Sequence, residues 1–273
     1  VKALIPAAGM GTRFLPATKA LPKEMLPVVD RPAIQYVVEE GLASGADEVV
    51  VINSRDKKAI EEHFAPAPAL VAALRDKGKH DYADAVEHAG SLNVSYVYQD
   101  EPLGLGHAVR CAHEKTGGEA FFVLLGDVLV PKNNLLPRMM EISAAHAGAS
   151  VIAVLPVPPE EVSRFGVIAG TAITEDVWKV EALVEKPPRE EAPSNLTVFG
   201  RYLLSPRVME LLAQGRPGVG GEIQLTDALD AVLREEEMFA LVIKPTDGFD
   251  TGTVESWLET NKALFQGRID RRP

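Results

Sequence analysis

The chain is expected to adopt an α/β fold, a mixed and largely parallel sheet flanked by helices, and three observations carry that expectation. Short apolar runs alternate with stretches of helical spacing up to Leu155. Successive runs are too far apart in sequence to close as hairpins, so their strands pair in parallel and are covered on both faces. Past Pro156 the pattern changes to strands divided by turns with less helix between them, which adds a mixed portion to the same sheet. With 273 residues, 46% of them hydrophobic, the chain can hide roughly 75% of its unfolded surface without disulfide or metal staples.

Each element has its own signal. Val1–Pro6 reads as a buried strand, followed by a loop over Ala7–Arg13. Ala33–Ser44 has helical apolar spacing, Glu48–Asn53 is β-branched and strand-like, and Arg55–Phe64 is a helix. Ala65–Ala89 is Ala-rich and helical, an insertion with a charged, solvated face. Strands over Asn93–Tyr98, Glu119–Leu125 and Ser150–Leu155 alternate with helices over Gly106–Lys115 and Leu135–His146. Beyond Pro156, Val167–Ala169, Val177–Val184, Thr197–Leu204 and Phe239–Ile243 are strands, and Glu222–Glu235 and Thr253–Phe265 are helices. The reading is one domain, 1–273, with excursions.

Composition narrows the function. Lys and Arg number 28 against 39 Asp and Glu, a formal charge of −11, which argues against a nucleic-acid partner bound by phosphate neutralisation. A small polyanion remains compatible, because a local cationic pocket can sit inside an acidic protein. The single cysteine, Cys111, excludes an internal disulfide framework and a Cys-rich zinc site, and reads as a small packed helix residue. No apolar run approaches the roughly 20 residues that span a bilayer. No leader pattern precedes the first motif, and the expected location is the cytoplasm.

In open parallel sheets, ligands bind where loops leave the carboxyl ends of strands. The first such loop is Ala7-Ala8-Gly9-Met10-Gly11-Thr12-Arg13, whose small residues let backbone N–H groups approach phosphate oxygens. A dinucleotide fingerprint fails at Phe14, where a small residue is required, and no Gly-Lys-Ser/Thr run makes a Walker A loop. Arg13 and Lys23 follow in proline-flanked segments, a guanidinium and an ammonium able to share one anion as a triphosphate clamp. The apolar run Ala120–Leu125 delivers Gly126-Asp127 at its end, a carboxylate suited to Mg²⁺, with a turn cap as the competing role. Gln99 ends another strand with an amide that can both donate and accept, and His107 reads as a packing or capping residue.

The ordered set Ala8-Gly9-x-Gly11-Thr12-Arg13-x-Leu15-Pro16, then Lys23-x-Met25-Leu26-Pro27, resembles the signature of the sugar-1-phosphate nucleotidyltransferases. The similarity extends through Gln99, Gly104-Leu105-Gly106-His107-Ala108, Gly126-Asp127-Val128, Phe165-Gly166-Val167, Glu185-Lys186-Pro187 and Leu225-Thr226-Asp227, and so covers most of the chain. Pro6-Ala7-Ala8-Gly9 with Pro16-Ala17-Thr18-Lys19, and the insertion before Gln99, resemble the uridylyl branch more than the thymidylyl one.

The resemblance implies a Rossmann-like fold of the nucleotide-diphospho-sugar transferase type, with 1–155 mainly nucleotide-binding and 156–273 mainly sugar-phosphate-binding and C-terminal helical. It implies Mg²⁺-dependent transfer of a uridylyl group from UTP to glucose 1-phosphate, giving UDP-glucose and pyrophosphate, in a homodimer or homotetramer. It assigns Ala7, Ala8, Gly9, Gly11, Thr12, Gln99 and Gly104 to the nucleotide, and Arg13, Lys23 and Lys186 to catalysis. Gly166, Glu185, Lys186 and Val198 fall to the sugar phosphate, and Asp127 and Asp250 to metal; for Asp250 an N-cap on the terminal helix stands as an equal alternative. A thymidylyltransferase, another hexose-1-phosphate enzyme and a non-catalytic sugar-nucleotide sensor are the competing functions.

Overall fold

The computed structural model describes residues 1–131, 134–215 and 221–269. In chain order its strands are β1 (Lys2–Pro6), β2 (Pro27–Val28), β3 (Arg31–Pro32), β4 (Glu48–Asn53), β5 (Val94–Tyr98), β6 (Phe121–Leu124), β7 (Val128–Leu129), β8 (Ser150–Pro156), β9 (Gly166–Ala172), β10 (Val177–Glu185), β11 (Leu196–Leu204), β12 (Met238–Val242) and β13 (Phe249–Asp250). Its helices are α1 (Ala33–Ala43), α2 (Lys58–Phe64), α3 (Pro68–Asp76), α4 (His80–Ser91), α5 (Leu105–Cys111), α6 (His113–Thr116), α7 (Leu135–Ala145), α8 (Pro206–Gln214), α9 (Leu225–Val232) and α10 (Val254–Ile269).

Nine strands form one sheet in the order β5-β4-β1-β6-β11-β8-β12-β10-β9. The first four run parallel, so the loops after β1, β4, β5 and β6 leave from one edge of the sheet. β11 lies antiparallel to both β6 and β8, β12 runs parallel to β8, and β12, β10 and β9 continue antiparallel. The parallel character thus belongs mainly to the N-terminal side, and the change of pattern after Pro156 marks where antiparallel pairing takes over.

Side-chain alternation along the central strands fills two cores. Ala3, Ile5, Val49, Val51, Phe122 and Leu124 pack on one face with Ile34 and Val37 of α1 and Leu136 and Met139 of α7. Leu4, Val50, Ile52, Phe121 and Val123 pack on the other with Val109 of α5, Val208 and Leu212 of α8, and Leu229 of α9. Burying each of the larger side chains among these, Val, Leu, Ile, Phe or Met, contributes about 1.5–3 kcal/mol before the entropy of ordering it is subtracted.

The structure adds one element to those expected, refines a second and shortens a third. The stretch Ser205–Gln214, which the sequence pattern assigns to no element, carries α8: Pro206 opens it and Val208, Met209 and Leu212 form its buried face. The Ala-rich insertion is two helices, because Gly78 takes φ +69° between α3 and α4 and reverses the chain. Glu222 and Ile223 lie outside α9 and are held to the turn before α5: Ile223 N–H donates to the Leu103 carbonyl and Gly106 N–H to the Ile223 carbonyl, both at 2.8 Å. Cys111 lies at the end of α5, partly buried against the second core, as expected. Among the described residues no helix is long and apolar enough to cross a membrane.

Candidate active site

The loop after β1 is tied into the sheet at its root, where Ala7 N–H donates to the Ile52 carbonyl at 2.8 Å. Gly11 then takes φ +63°, and a Cβ there would stand 3.2 Å from Lys23 Cβ, so both the turn and the close approach require glycine. Short 3₁₀ turns over Thr12–Phe14, Ala17–Lys19 and Lys23–Met25 bring the chain back toward its start. The result is a cleft of about 360 Å³ whose lining includes Ala8, Gly9, Lys23, Gln99, Gly104 and Asp127. Residues far apart in sequence meet there because four parallel strands end on the same edge.

Asp127, delivered by β6, faces Lys23: the ammonium donates to Oδ2 at 2.5 Å. Burial opposes the charge on this carboxylate, yet the Lys23 ammonium, with Arg13 beyond it, holds Asp127 below the usual carboxylate range. Lys23 is correspondingly raised: burial works against its charge, but Asp127 and Glu24 outweigh it. The Asp127 carbonyl accepts from both Thr251 N–H at 2.7 Å and Thr251 Oγ1 at 2.8 Å.

β13 pairs with β7 and sets Asp250 opposite Val128. A Cβ on Gly252 would stand 2.9 Å from Asp250 Oδ1, 3.4 Å from Asp127 Oδ2 and 3.6 Å from Arg13 Nη1, so these three groups converge on one point. The helix-cap alternative for Asp250 fails. Thr253 and Ser256 cap the start of α10, with Ser256 N–H donating to Thr253 Oγ1 at 3.1 Å, while Asp250 Oδ1 accepts from Gly252 N–H at 2.9 Å. Two carboxylates around one point are the hard oxygen donors a divalent cation takes. No cluster of three or more His, Cys, Asp or Glu stands ready for a metal among the described residues.

At the far end of the cleft, Gln99 Nε2 donates to the Gly104 carbonyl at 3.1 Å and meets His107 Nδ1 at 2.9 Å. A carbonyl can only accept, which orients the amide, and His107 Nδ1 must then be the unprotonated nitrogen. Burial, with Arg110 nearby, keeps His107 below the ordinary histidine value and favours that neutral form. Gly104 at φ +98° would bring a Cβ to 2.8 Å from the Ile223 carbonyl, so the turn closes tightly on the segment before α9.

A second cluster forms where β9, β10 and β11 meet. Glu185 Oε2 accepts from Thr226 Oγ1 at 2.6 Å, and a Cβ on Gly166 would stand 3.2 Å from that oxygen and 3.4 Å from Val198 Cγ2. Lys186 follows with φ +46°, unusual for a residue with a side chain, its N–H donating to the Phe165 carbonyl at 3.1 Å. Its ammonium is well exposed and stands 3.3 Å from Glu185 Oε1. The cluster adjoins the cleft through β11, where the Gly200 carbonyl accepts from Leu125 N–H at 2.9 Å. Thr226 completes this group, and Leu225-Thr226-Asp227 had marked it only as a segment.

One expected contact changes character. Ala7 commits its N–H to Ile52 and accepts at its carbonyl from Lys57 Nζ at 2.6 Å, so it supports the loop and its N–H is not free for a nucleotide. Sequence reading missed the buried residues beneath. Glu24, 1% exposed, is raised by burial despite the opposing charges of Lys57 and Lys23. Arg201, 0% exposed, pairs with Glu40 at 2.7 Å and donates to the Leu125 carbonyl at 3.2 Å and the Val128 carbonyl at 2.7 Å, bracketing Asp127. The charged residue in the otherwise apolar strand over Thr197–Leu204 was the available signal for Arg201.

The nucleotidyl transferase family model matches residues 2–267. The chain is 47% identical to UTP–glucose-1-phosphate uridylyltransferase YngB of Bacillus subtilis (strain 168), over 89% of this chain and 82% of that protein. It is 44% identical to UTP–glucose-1-phosphate uridylyltransferase of Streptococcus pneumoniae serotype 4, over 95% and 88% respectively. Among solved structures it is similar to a UDP-glucose pyrophosphorylase complexed with UDP-glucose, with TM-score 0.85 and 38% identity over 98% of this chain and 99% of that one. It is also similar to a UTP-bound UGPase from Acinetobacter baumannii, with TM-score 0.87 and 36% identity over 100% and 99%. With its glycine loop, strand-tip carboxylate and lysines in the order read from the sequence, the chain belongs to the nucleotidyl transferase family.

Proposed function

We propose that this protein transfers a uridylyl group from UTP to glucose 1-phosphate, forming UDP-glucose and releasing pyrophosphate. The observation that carries the reading is the convergence of Asp127, Asp250 and Arg13 beside Gly252, with Lys23 on Asp127, where Asp127 and Lys23 also line a cleft shared by the glycine loop and Gln99. The names of the relatives and of the ligand-bound neighbours support the same substrates.

The sugar phosphate brings its own nucleophilic oxyanion, so the reaction needs no general base. Its oxygen attacks the α-phosphorus, the bond from α-phosphorus to the bridging oxygen breaks, and the electron pair leaves on pyrophosphate. The protein's work is to align two anions that repel each other and to stabilise charge on the leaving group. Backbone N–H groups from Ala8 through Thr12 receive the phosphates, and Arg13 and Lys23 neutralise the departing pyrophosphate. Glu185 accepts from sugar hydroxyls, Gly166 and Val198 shape that pocket, and Lys186 holds the acceptor phosphate. Asp127 and Asp250 would hold Mg²⁺, which when bound supplies positive charge shared between the reacting phosphates.

Gln99 reads the base. With both amide hydrogens engaged, its Oε1 presents an acceptor that suits the N3–H of uracil and repels the N3 lone pair of cytosine. The nucleotide thus falls mainly to 1–155 and the sugar phosphate mainly to 156–273, within one domain. The two halves interleave, since Asp250 belongs to the metal site and Glu222 lines the nucleotide cleft. A homodimer or homotetramer is the expected assembly, read out by sedimentation. The deciding experiment is pyrophosphate release from UTP plus glucose 1-phosphate with and without Mg²⁺. Release confined to dTTP would move the enzyme to the thymidylyl branch, and binding of UDP-glucose without release would make it a sensor.

A further inference from the structure

Lys57 lies outside every motif that pointed to the site, and its ammonium has three hydrogens with three acceptors. It donates to the Ala7 carbonyl at 2.6 Å, the Gly9 carbonyl at 2.5 Å and Glu24 Oε2 at 3.1 Å. Its side chain is 12% exposed and that of Glu24 1%. Glu24 in turn feels the charges of both Lys57 and Lys23, and its stem packs under the strand tip, 3.3 Å from where a Cβ on Gly126 would be.

We infer that Lys57 is the positioning residue of the glycine loop: by drawing the Ala7 and Gly9 carbonyls inward it keeps carbonyl oxygens away from the phosphates and leaves the loop's N–H groups facing the cleft. Peptide units are rigid, so fixing two carbonyls on the inner side fixes the opposed N–H directions of the residues that follow. A loop free to turn those peptides would present partial negative charge to a triphosphate. At Gly9 nothing lies within 4 Å of where a Cβ would be, so the carbonyl bond to Lys57 is the contact that anchors it. Glu24 balances the buried ammonium and is what makes burying it tolerable. Lys57 touches no substrate in this arrangement; it acts through the loop.

The inference rests on the uridylyltransferase reading, and the test separates the two. Parental enzyme that releases no pyrophosphate from UTP and glucose 1-phosphate sinks that reading, whatever Lys57 does. With an active parent, Lys57→Met keeps most of the stem and removes all three bonds. The KM for UTP should rise about tenfold or more, while the KM for glucose 1-phosphate stays within about twofold, because only the nucleotide end loses its frame. Parental KM for UTP in this variant, or an equal rise in both constants, overturns the inference. Should Lys57→Met fail to fold because Glu24 is left buried and unpaired, Lys57→Met with Glu24→Gln removes the orphaned charge. If that pair folds and still shows the selective loss for UTP the inference stands, and if its affinity for UTP, measured by calorimetry, is parental, the inference is wrong.

Discussion

The molecule has two concavities of contrasting character. The cleft at the tips of β1, β5 and β6 encloses about 360 Å³, whereas a cavity beneath the α3–α4 hairpin encloses about 730 Å³. The larger one has apolar walls that include Leu70, Leu74, Tyr82 and Val86, over a floor whose polar groups partner one another. His63 Nε2 meets Gln35 Oε1 at 2.9 Å, Gln35 Nε2 donates to Glu39 Oε1 at 2.8 Å, and Arg31 Nη1 donates to Glu39 Oε2 at 2.9 Å. The smaller one gathers the Lys23 ammonium, carboxylates and glycine-loop backbone from five separate chain segments. Volume alone would choose the hairpin. Strand polarity chooses the cleft, because a parallel edge is where many loops can aim functional groups at one small volume.

The sharpest way to break this comparison is to remove the carboxylate at the tip of β6. Asp127→Asn keeps the shape and removes the charge that pairs with Lys23, and turnover at saturating UTP should fall about 100-fold or more. Activity that survives, with an unchanged Mg²⁺ titration, would shift the chemistry away from this tip. Lys186→Ala should follow, with turnover falling about 100-fold while UTP affinity and thermal midpoint stay near parental. Its ammonium is exposed and contributes little to the fold, so a large stability loss would contradict the catalytic assignment.

How far the sequence reveals this cleft depends on where a residue's partners lie. Asp127 was legible because an apolar strand ends in an acid, and the glycine loop because the small residues follow a strand directly. Lys57, Glu24 and Arg201 were not: each is an ordinary charged residue until the fold buries it against carbonyls from another segment. The same reason hid α8, whose apolar positions reveal a buried face only once the second core is known. Asp250 shows the middle case. Its sequence fitted a cap equally well, and only the Thr253–Ser256 pairing removes that alternative. Local pattern exposes what points outward from strand tips, and conceals the charged supports that hold those tips from behind.

The end of the cleft at Gln99, proposed to read the base, sharpens the comparison in selectivity. His107→Phe removes the acceptor that, with Gly104, orients the Gln99 amide. The ratio of kcat/KM for UTP over CTP should fall about tenfold, with kcat for UTP changed less. A ratio that does not move would mean that the Gly104 carbonyl alone fixes the amide. At the hairpin, Leu70→Ser and Tyr82→Ser alter exposed residues that line the larger cavity and not the cleft, and turnover should stay within roughly twofold. A tenfold loss there would make the larger cavity part of the working enzyme.

The smallest expected effect is a pH dependence confined to the hairpin side. Burial holds His63 below the ordinary histidine value, with Glu39 opposing, so the folded protein prefers it neutral. Below pH ~6.5 the unfolded chain binds a proton at this position more readily than the folded one, and stability therefore falls as pH drops through that range. The contribution vanishes above it, where both states are neutral. His63→Gln keeps an N–H donor toward Gln35 and removes the titration. Between pH 7 and 5.5 the parental thermal midpoint should drop about 1–2 °C further than that of the variant. Because α2 carries His63 near one end and Lys57 immediately precedes the other, the KM for UTP measured across the same range reports whether the two concavities communicate. Parallel UTP curves for parent and variant would mean that protonating the hairpin floor leaves the glycine loop unmoved, and diverging curves would join the two regions through that single helix.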